Sequence, residues 1–371
     1  MEYNIKKASL IYFGAKVLLY LGILLFGPPI NENRFYSYDS HWPSEGGAVL
    51  LSRLACTDSA DYLRLAEIGY NPGSRLCAFY PLWPWLLGVT GIAGSRVAPL
   101  GSTLLAGLFW LLGLTLLHRW VQNQSNSQTA WGAVLANLLL PSSIFFWLGY
   151  TESIFFFLSV VFVCTSESDK WIFSVAASLF LPLTRPVGIF IVSVSFLGLF
   201  DKNPEACKRS LIQLIASLLG FCFYLLLMWL STGNCWEGFS AQKHYINNPS
   251  LSHLLFPGEL FSRFFSVDGW HNPKGSVLDR LVFILSIALV ISVWKSRPKW
   301  FFWALPMILV PAFTNWFLSF SRLSVSALPL ILALGHWVQR CGKRMILIIL
   351  VTSIINQAYL LIRFFSFGWA S

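Results

Sequence analysis

Apolar runs recur along the chain from end to end, each closed by a short polar or basic turn. The first covers residues 8–27 and stops at Pro28-Pro29. Others cover 97–117, 130–148, 151–165, 171–183, 187–200, 211–230, 277–294, 300–318, 323–338 and 346–362. Crossing ~30 Å of hydrocarbon takes about 20 helical residues. In lipid the backbone must find its partners within the segment, which leaves helices. The pattern predicts an all-α polytopic membrane protein with about eleven crossings.

Three stretches break the rhythm. Residues 171–183 and 187–200 are each only ~20 Å long as helices, so they read as a shallow hairpin with Thr184-Arg185-Pro186 at its tip. Residues 79–94 are apolar but short, contain Pro81 and Pro84, and read as interfacial or re-entrant. Between 58 and 69, Tyr62, Leu65, Ala66 and Gly69 recur at helical spacing, as in an amphipathic helix lying on a membrane surface.

Lys6 and Lys7 before the first run place the N-terminus in the cytoplasm. The first outer loop then spans 28–96 and the second 231–276. Neither is long enough to fold as a separate domain, so residues 1–371 are read as one. A second layout lets 79–94 span fully and makes 171–200 one long helix, putting Arg119 and Lys170 outside and Glu152 inside. No internal repeat or low-complexity segment is present.

Of the 371 residues, 56% are hydrophobic and 11% charged, against about 25% charged in soluble domains. The formal net charge of +10 lies mostly in short turns, where the positive-inside rule accounts for it. A nucleic-acid partner is excluded on that ground. Seven cysteines lack CxxC or CxxxH spacing, which argues against a zinc site. Cys56 and Cys77 flank the acidic helix, and a disulfide between them is left open. The N-terminal segment resembles a signal anchor without a small-residue cleavage site, and is kept as the first helix.

Charged groups at the membrane boundary are the candidates for chemistry. Asp58 and Asp61 stand three apart, on one helical turn. They form a solvated or helix-capping acidic face, or else a general base or a divalent-ion ligand at the interface. Glu152 sits in the tight turn Gly149-Tyr150-Thr151-Glu152-Ser153. Arg185 interrupts some thirty apolar residues, where a charge needs a partner or marks a pathway. Glu152 is one such partner and an anionic ligand the other; the planar fork of arginine suits phosphate. Gln242, Lys243 and His244 lie in the second outer loop and Arg322 opens a late helix. Positions 185, 243 and 322 are expected to project outward and hold an anionic headgroup opposite the acidic helix.

These residues also carry a resemblance. Asp58-Ser59-Ala60-Asp61-Tyr62-Leu63-Arg64-Leu65-Ala66, then Gly69-Tyr70, then Ala78-Phe79-Tyr80-Pro81-Leu82-Trp83-Pro84 is similar to the pattern WDSxxFLxIAxxGY…AFFPLYP. That pattern belongs to the class V phosphatidylinositol-glycan mannosyltransferases, or GPI mannosyltransferase II, with their prokaryotic relatives. Tyr150-Thr151-Glu152-Ser153-Ile154-Phe155 resembles the family's YTESLF element, and Leu183-Thr184-Arg185-Pro186-Val187-Gly188 its LTRPxG element. Ala241-Gln242 and Ser321-Arg322…Pro329 fit looser, later elements. The five elements occur in order over most of the chain. Thr57 stands where the family has tryptophan. Tyr38-Asp39-Ser40-His41 imitates the WDSxH opening, but no LxxAxxGY helix follows, so Asp58 is preferred.

The resemblance implies a GT-C glycosyltransferase that takes mannose or a related hexose from a polyprenyl-phosphate-linked donor. Its acceptor would be a lipid or glycan at the bilayer, on the non-cytoplasmic face. It implies Asp58 as the base that deprotonates the acceptor hydroxyl, with inversion at the anomeric carbon. Asp61, Tyr62, Tyr80, Tyr150, Glu152, Arg185, Gln242, Lys243, His244 and Arg322 are the expected substrate-binding residues. No metal and no other cofactor is expected, because Asp58 and Asp61 are not in a DxD pair; a divalent ion is the less favoured alternative. Short outer loops and the absence of a retrieval signal lean toward a bacterial plasma membrane over the endoplasmic reticulum. A transporter of polyprenyl-phosphate-linked sugar or another anionic lipid is the competing expectation, since intramembrane arginine and short helices suit it equally.

Overall fold

The computed structural model describes residues 4–29, 42, 50–273 and 275–370. Among the described residues there are helices and irregular segments but no strand. Helix α1 (Ile5–Phe26) starts where Asn4 Oδ1 accepts from the Lys7 amide at 3.0 Å, and ends at Gly27. The acidic helix α2 (Asp58–Ile68) and the short α3 (Leu82–Val89) follow. Then come α4 (Ala98–Gln124), α5 (Ser127–Leu139), α6 (Glu152–Thr165), α7 (Trp171–Thr184) and α8 (Val192–Gly198). Helix α9 (Pro204–Thr232) precedes two short loop helices, α10 (Glu237–Ser240) and α11 (Pro257–Phe265). The last five are α12 (Val277–Ser296), α13 (Pro298–Thr314), α14 (Phe320–Ser324), α15 (Leu328–Val338) and α16 (Lys343–Phe365).

Five of these helices, α1, α4, α9, α12 and α16, are long and apolar enough to cross a membrane. The remaining apolar segments are shorter or broken, so length and composition establish five spans where about eleven were expected. Residues 130–148 illustrate why. Helix α5 stops at Leu139, and Pro141–Phe146 tightens into a 3-10 turn because proline clashes with the preceding helical turn. The stop frees carbonyls, and side chains from other helices take them up. Gln357 Nε2 donates to Leu138 and Leu140 (2.9 and 3.2 Å), Ser353 Oγ to Leu139 (2.6 Å), and Lys16 Nζ to Leu138 (3.3 Å). The freed carbonyls of Leu138, Leu139 and Leu140 are thereby satisfied, as an interior without water requires.

The hairpin expected over 171–200 is present. Helix α7 ends at Arg185, whose backbone is extended (φ −158°, ψ 153°), and Pro186–Ile191 turns back. The return passes so close that a Cβ on Gly188 would fall 2.0 Å from the Leu181 carbonyl oxygen. A single long helix through this region is thereby ruled out. Helix α3, at eight residues, is only ~12 Å long and does not span.

A larger departure comes late in the chain. The run 300–318 does not stay helical: α13 ends at Thr314, and Trp316, Phe317 and Ser319 take left-handed backbone angles (φ 51°, 65° and 57°). Non-glycine residues rarely adopt that conformation. The run 323–338 is split in turn between α14 and α15. The result is a strained corner that presents Arg322 on a short helix of its own.

One end of the bundle gathers the basic turns. Lys6 lies over the Trp131 ring (6.0 Å), and Trp131 packs on His118. Arg297 covers Trp120 and Trp300 (5.3 and 4.5 Å), Lys299 pairs with Asp201 (3.3 Å), and Arg209 donates to the Ser168 carbonyl (3.4 Å). The ends of α4, α7 and α9 that carry Arg119, Lys170 and Arg209 therefore share the end of the N-terminus. The first of the two layouts drawn from the sequence expects these groups on one side. Asp58, Glu152, Arg185 and Arg322 sit at the other end.

Candidate active site

The site is built on the first turn of α2. Its N-cap, Thr57, has φ 55° and makes no side-chain cap bond; a β-branched residue there is a genuine outlier. The kink is held by Thr57 Oγ1 and the Tyr150 hydroxyl, 2.6 Å apart. Asp58 becomes the first helical residue, and a carboxylate is favourable in a first turn beside unpaired amides. The Asp58 side chain is 24% exposed, in contact both with solvent and with the bundle.

Behind it runs a row of alternating charge. Arg322 Nη2 lies 2.6 Å from Asp58 Oδ2, and Arg322 Nε donates to Glu152 Oε1 at 2.8 Å. The same Glu152 oxygen pairs with Arg185 Nη1 at 3.2 Å. Glu152 and both arginines are buried, and Glu152 Oε2 has no hydrogen-bond partner among the described residues. The Arg322 guanidinium lies against the rings of Tyr150 (4.7 Å) and Phe145 (5.4 Å), where a cation is attracted to the ring faces. The arginines at 185 and 322 both pair with carboxylates, Arg185 with Glu152 and Arg322 with Glu152 and Asp58. An unpaired guanidinium in apolar surroundings costs far more than one beside a carboxylate.

Asp61, one turn further along α2, faces away from this row. It is buried and pairs with Arg75 at 2.9 Å. Burial pushes its carboxyl up to about 6, against the opposing pull of Arg75. Tyr62 is buried, with its hydroxyl 3.4 Å from Thr151 Oγ1 and its ring edge-on to Phe79 and Tyr150. Tyr150 therefore contacts the row directly, and Tyr62 adjoins it. Tyr80 is placed elsewhere: its ring stacks on Tyr224 at 4.2 Å.

Of the second outer loop, Gln242, Lys243 and His244 form a short 3-10 turn, with Gln242 half-buried and the two basic residues exposed. This turn packs against the segment Arg75–Ala78, and the Tyr245 hydroxyl donates to the Arg75 carbonyl at 3.3 Å. The two loops thus meet beside α2. Cys56 and Cys77 are both free thiols; Cys56 donates to the Phe364 carbonyl and Cys77 to that of Asn71. Residues 38–41, which imitate the WDS opening, lie outside the described residues. Among the described residues no group of three His, Cys, Asp or Glu side chains is arranged around a metal position.

Two features had no role in the sequence reading. Asp279 at the start of α12 accepts from the Ser321 amide at 2.7 Å and so fixes α14. In sequence Asp279 reads only as a first-turn residue of a capped helix: Ser276 is the cap, its Oγ accepting from the Asp279 amide at 3.1 Å. The other feature is an apolar cavity of about 230 Å³ between α12, α15 and α16. Leu278, Leu289 and Ile331 line it, Ser321 reaches it, and it opens past the exposed Leu281 and Thr352.

No family model matches the chain, and no curated protein does. Two solved structures of an oligosaccharyltransferase from Archaeoglobus fulgidus are similar. One is the apo form (12% identity, 98% of this chain, TM-score 0.49), and the other is tethered to an acceptor peptide containing the NVT sequon (12%, 99%, 0.48). This chain spans 56% of the length of that protein in both. The resemblance to GPI mannosyltransferase II stands on its motifs alone.

Proposed function

We propose that the chain is a GT-C-type membrane glycosyltransferase that moves mannose, or a related hexose, from a polyprenyl-phosphate carrier to a membrane-associated lipid or glycan. The observation that carries this reading is the Asp58–Arg322 pair. A carboxylate at the mouth of the bundle is held against a guanidinium that belongs to a buried, otherwise balanced row. Asp58 is the general base. It takes the proton of the acceptor hydroxyl as that oxygen attacks the anomeric carbon. The bond from the anomeric carbon to the phosphate oxygen breaks, and its electron pair leaves with the polyprenyl phosphate. Attack from the face opposite the phosphate inverts the configuration.

Arg322, and behind it Arg185, offset the negative charge that develops on the leaving phosphate. Tyr150 and Tyr62 shape the floor beside the base, and the turn at 242–244 covers it from the second loop. The apolar cavity that Ser321 reaches suits a hydrocarbon tail. The site lies at the end away from the basic turns, which by the positive-inside rule supports the non-cytoplasmic face, in a bacterial plasma membrane on this reading. About eleven crossings, with the shorter helices completing the count, belong to the same proposal.

The test is turnover of the purified protein in lipid with polyprenyl-phospho-mannose and a panel of lipid acceptors. Transfer is expected in the wild type and a fall of about 10²–10⁴-fold in Asp58→Asn, the usual effect of removing a general base. Wild-type transfer by Asp58→Asn would sink the assignment. Movement of intact donor across the bilayer without cleavage would make the protein a transporter.

A further inference from the structure

The row Asp58, Arg322, Glu152, Arg185 contains two carboxylates and two guanidiniums, so its charges cancel within itself. A phosphate entering such a row finds no free cation unless a carboxylate gives one up. Which carboxylate yields is written in the geometry of Arg322. Its Nε is committed to Glu152, inside the bundle. Its Nη2 is committed to Asp58, the most exposed member of the row. Its Nη1 has no protein partner among the described residues. A phosphate gripped by two parallel hydrogen bonds on the outer edge of the guanidinium needs Nη1 and Nη2 together. Nη1 has no partner among the described residues, and Nη2 is the atom Asp58 holds.

We infer that Asp58 occupies the phosphate position of Arg322 in the empty site, and that the monophosphate of the lipid-linked donor displaces it, so that donor binding itself frees the base. Glu152 keeps Nε throughout, and the Tyr150 and Phe145 rings hold the guanidinium plane, so the arginine does not follow the carboxylate that leaves it. Before donor arrives the Asp58 carboxylate is tied to Arg322 Nη2. Afterwards that oxygen is free to meet an acceptor hydroxyl. A base unmasked only by donor does not activate water or acceptor in the empty enzyme. This inference rests on the glycosyltransferase reading and adds to it an order of events.

The experiment is equilibrium binding of farnesyl phosphate to the full chain in nanodiscs, run alongside the transfer assay. Asp58→Asn removes the competing charge and is expected to bind the probe roughly tenfold more tightly than wild type, about 1.4 kcal/mol, although it cannot turn over. Asp58→Ala is expected to show the same gain, which covers the case where the amide finds a new partner or the first variant does not fold. Arg322→Lys keeps a charge but lacks the fork, and is expected to bind at least tenfold more weakly. If both Asp58 variants bind no better than wild type while transfer is lost, the displacement is wrong and the base assignment stands. If Arg322→Lys binds as wild type does, the phosphate position is wrong. If Asp58→Asn transfers sugar at the wild-type rate, the glycosyltransferase mechanism itself fails.

Discussion

The amide of Ser321 donates to Asp279 Oδ1 at 2.7 Å, and that bond fixes the residue before the arginine on which the site depends. Asp279 is fully buried, so truncating it leaves the Ser321 amide without a partner in an apolar interior. Such an orphan costs about 1–3 kcal/mol. Asp279→Ala is expected to lower the thermal midpoint and to reduce transfer through kcat, because α14 loses its tether. Asp279→Asn retains an acceptor oxygen and is expected to stay close to wild type. Equal behaviour of the two variants would show that the bond does not position Arg322.

Glu152 serves two guanidiniums with one oxygen. Removing one partner of a buried ion pair costs about 3–5 kcal/mol, whereas replacing the set by apolar groups is often neutral. Glu152→Gln is expected to fold poorly or melt early in detergent. Adding Arg185→Met, which withdraws the stranded charge, is expected to recover part of the loss. A single Glu152→Gln variant with an unchanged melting curve would mean that the row is not structural.

Asp61 gives a pH signature. Burial raises its carboxyl to about 6 from an ordinary value of 3.8. A group whose folded value is raised stabilises the fold most fully below its unfolded value, and that contribution fades as pH rises through the folded value. The contact of α2 with residues 75–78 is therefore expected to loosen between about pH 4 and 7. Asp61→Asn should flatten this dependence in hydrogen exchange of α2 amides. A variant with the wild-type profile would assign the titration to another group.

The layout can be tested with cysteines placed at Asn123 and Lys170, in a background where Cys207, Cys222, Cys235 and Cys341 are replaced. Both positions lie near the end that carries Lys6. A membrane-impermeant thiol reagent is expected to reach both from the cytoplasmic side only. Labelling of both from outside would restore the layout with Glu152 inside.

Much of the site could be read from the chain because charges stand out against lipid-soluble sequence. Glu152 and Arg185 each interrupt an apolar run, and Asp58 opens a helix with a clear apolar stripe. The sequence did not reveal who pairs with whom. Asp58 and Arg322 are joined by side chains across most of the length of the chain, and no local pattern encodes that. Nor did the corner at Trp316, Phe317 and Ser319 announce itself, because its left-handed turns use no glycine or asparagine. Pro306 and Pro311, the visible breakers, sit inside the helix they were free to end. Lys16 passed unnoticed in the first run; its partner Ser143, at 2.7 Å, lies in a turn that exists only because α5 stops early.

The alternating row also limits how this protein can diverge. A single substitution that adds or removes one charge at 58, 152, 185 or 322 leaves the bundle holding an odd charge among aromatic rings. Changes at the buried positions 152 and 185 are expected to be tolerated in twos, one acid with one base. A relative that has lost the arginine at 185 should therefore have altered its partner at 152, and the two positions should covary even where the surrounding motif has drifted.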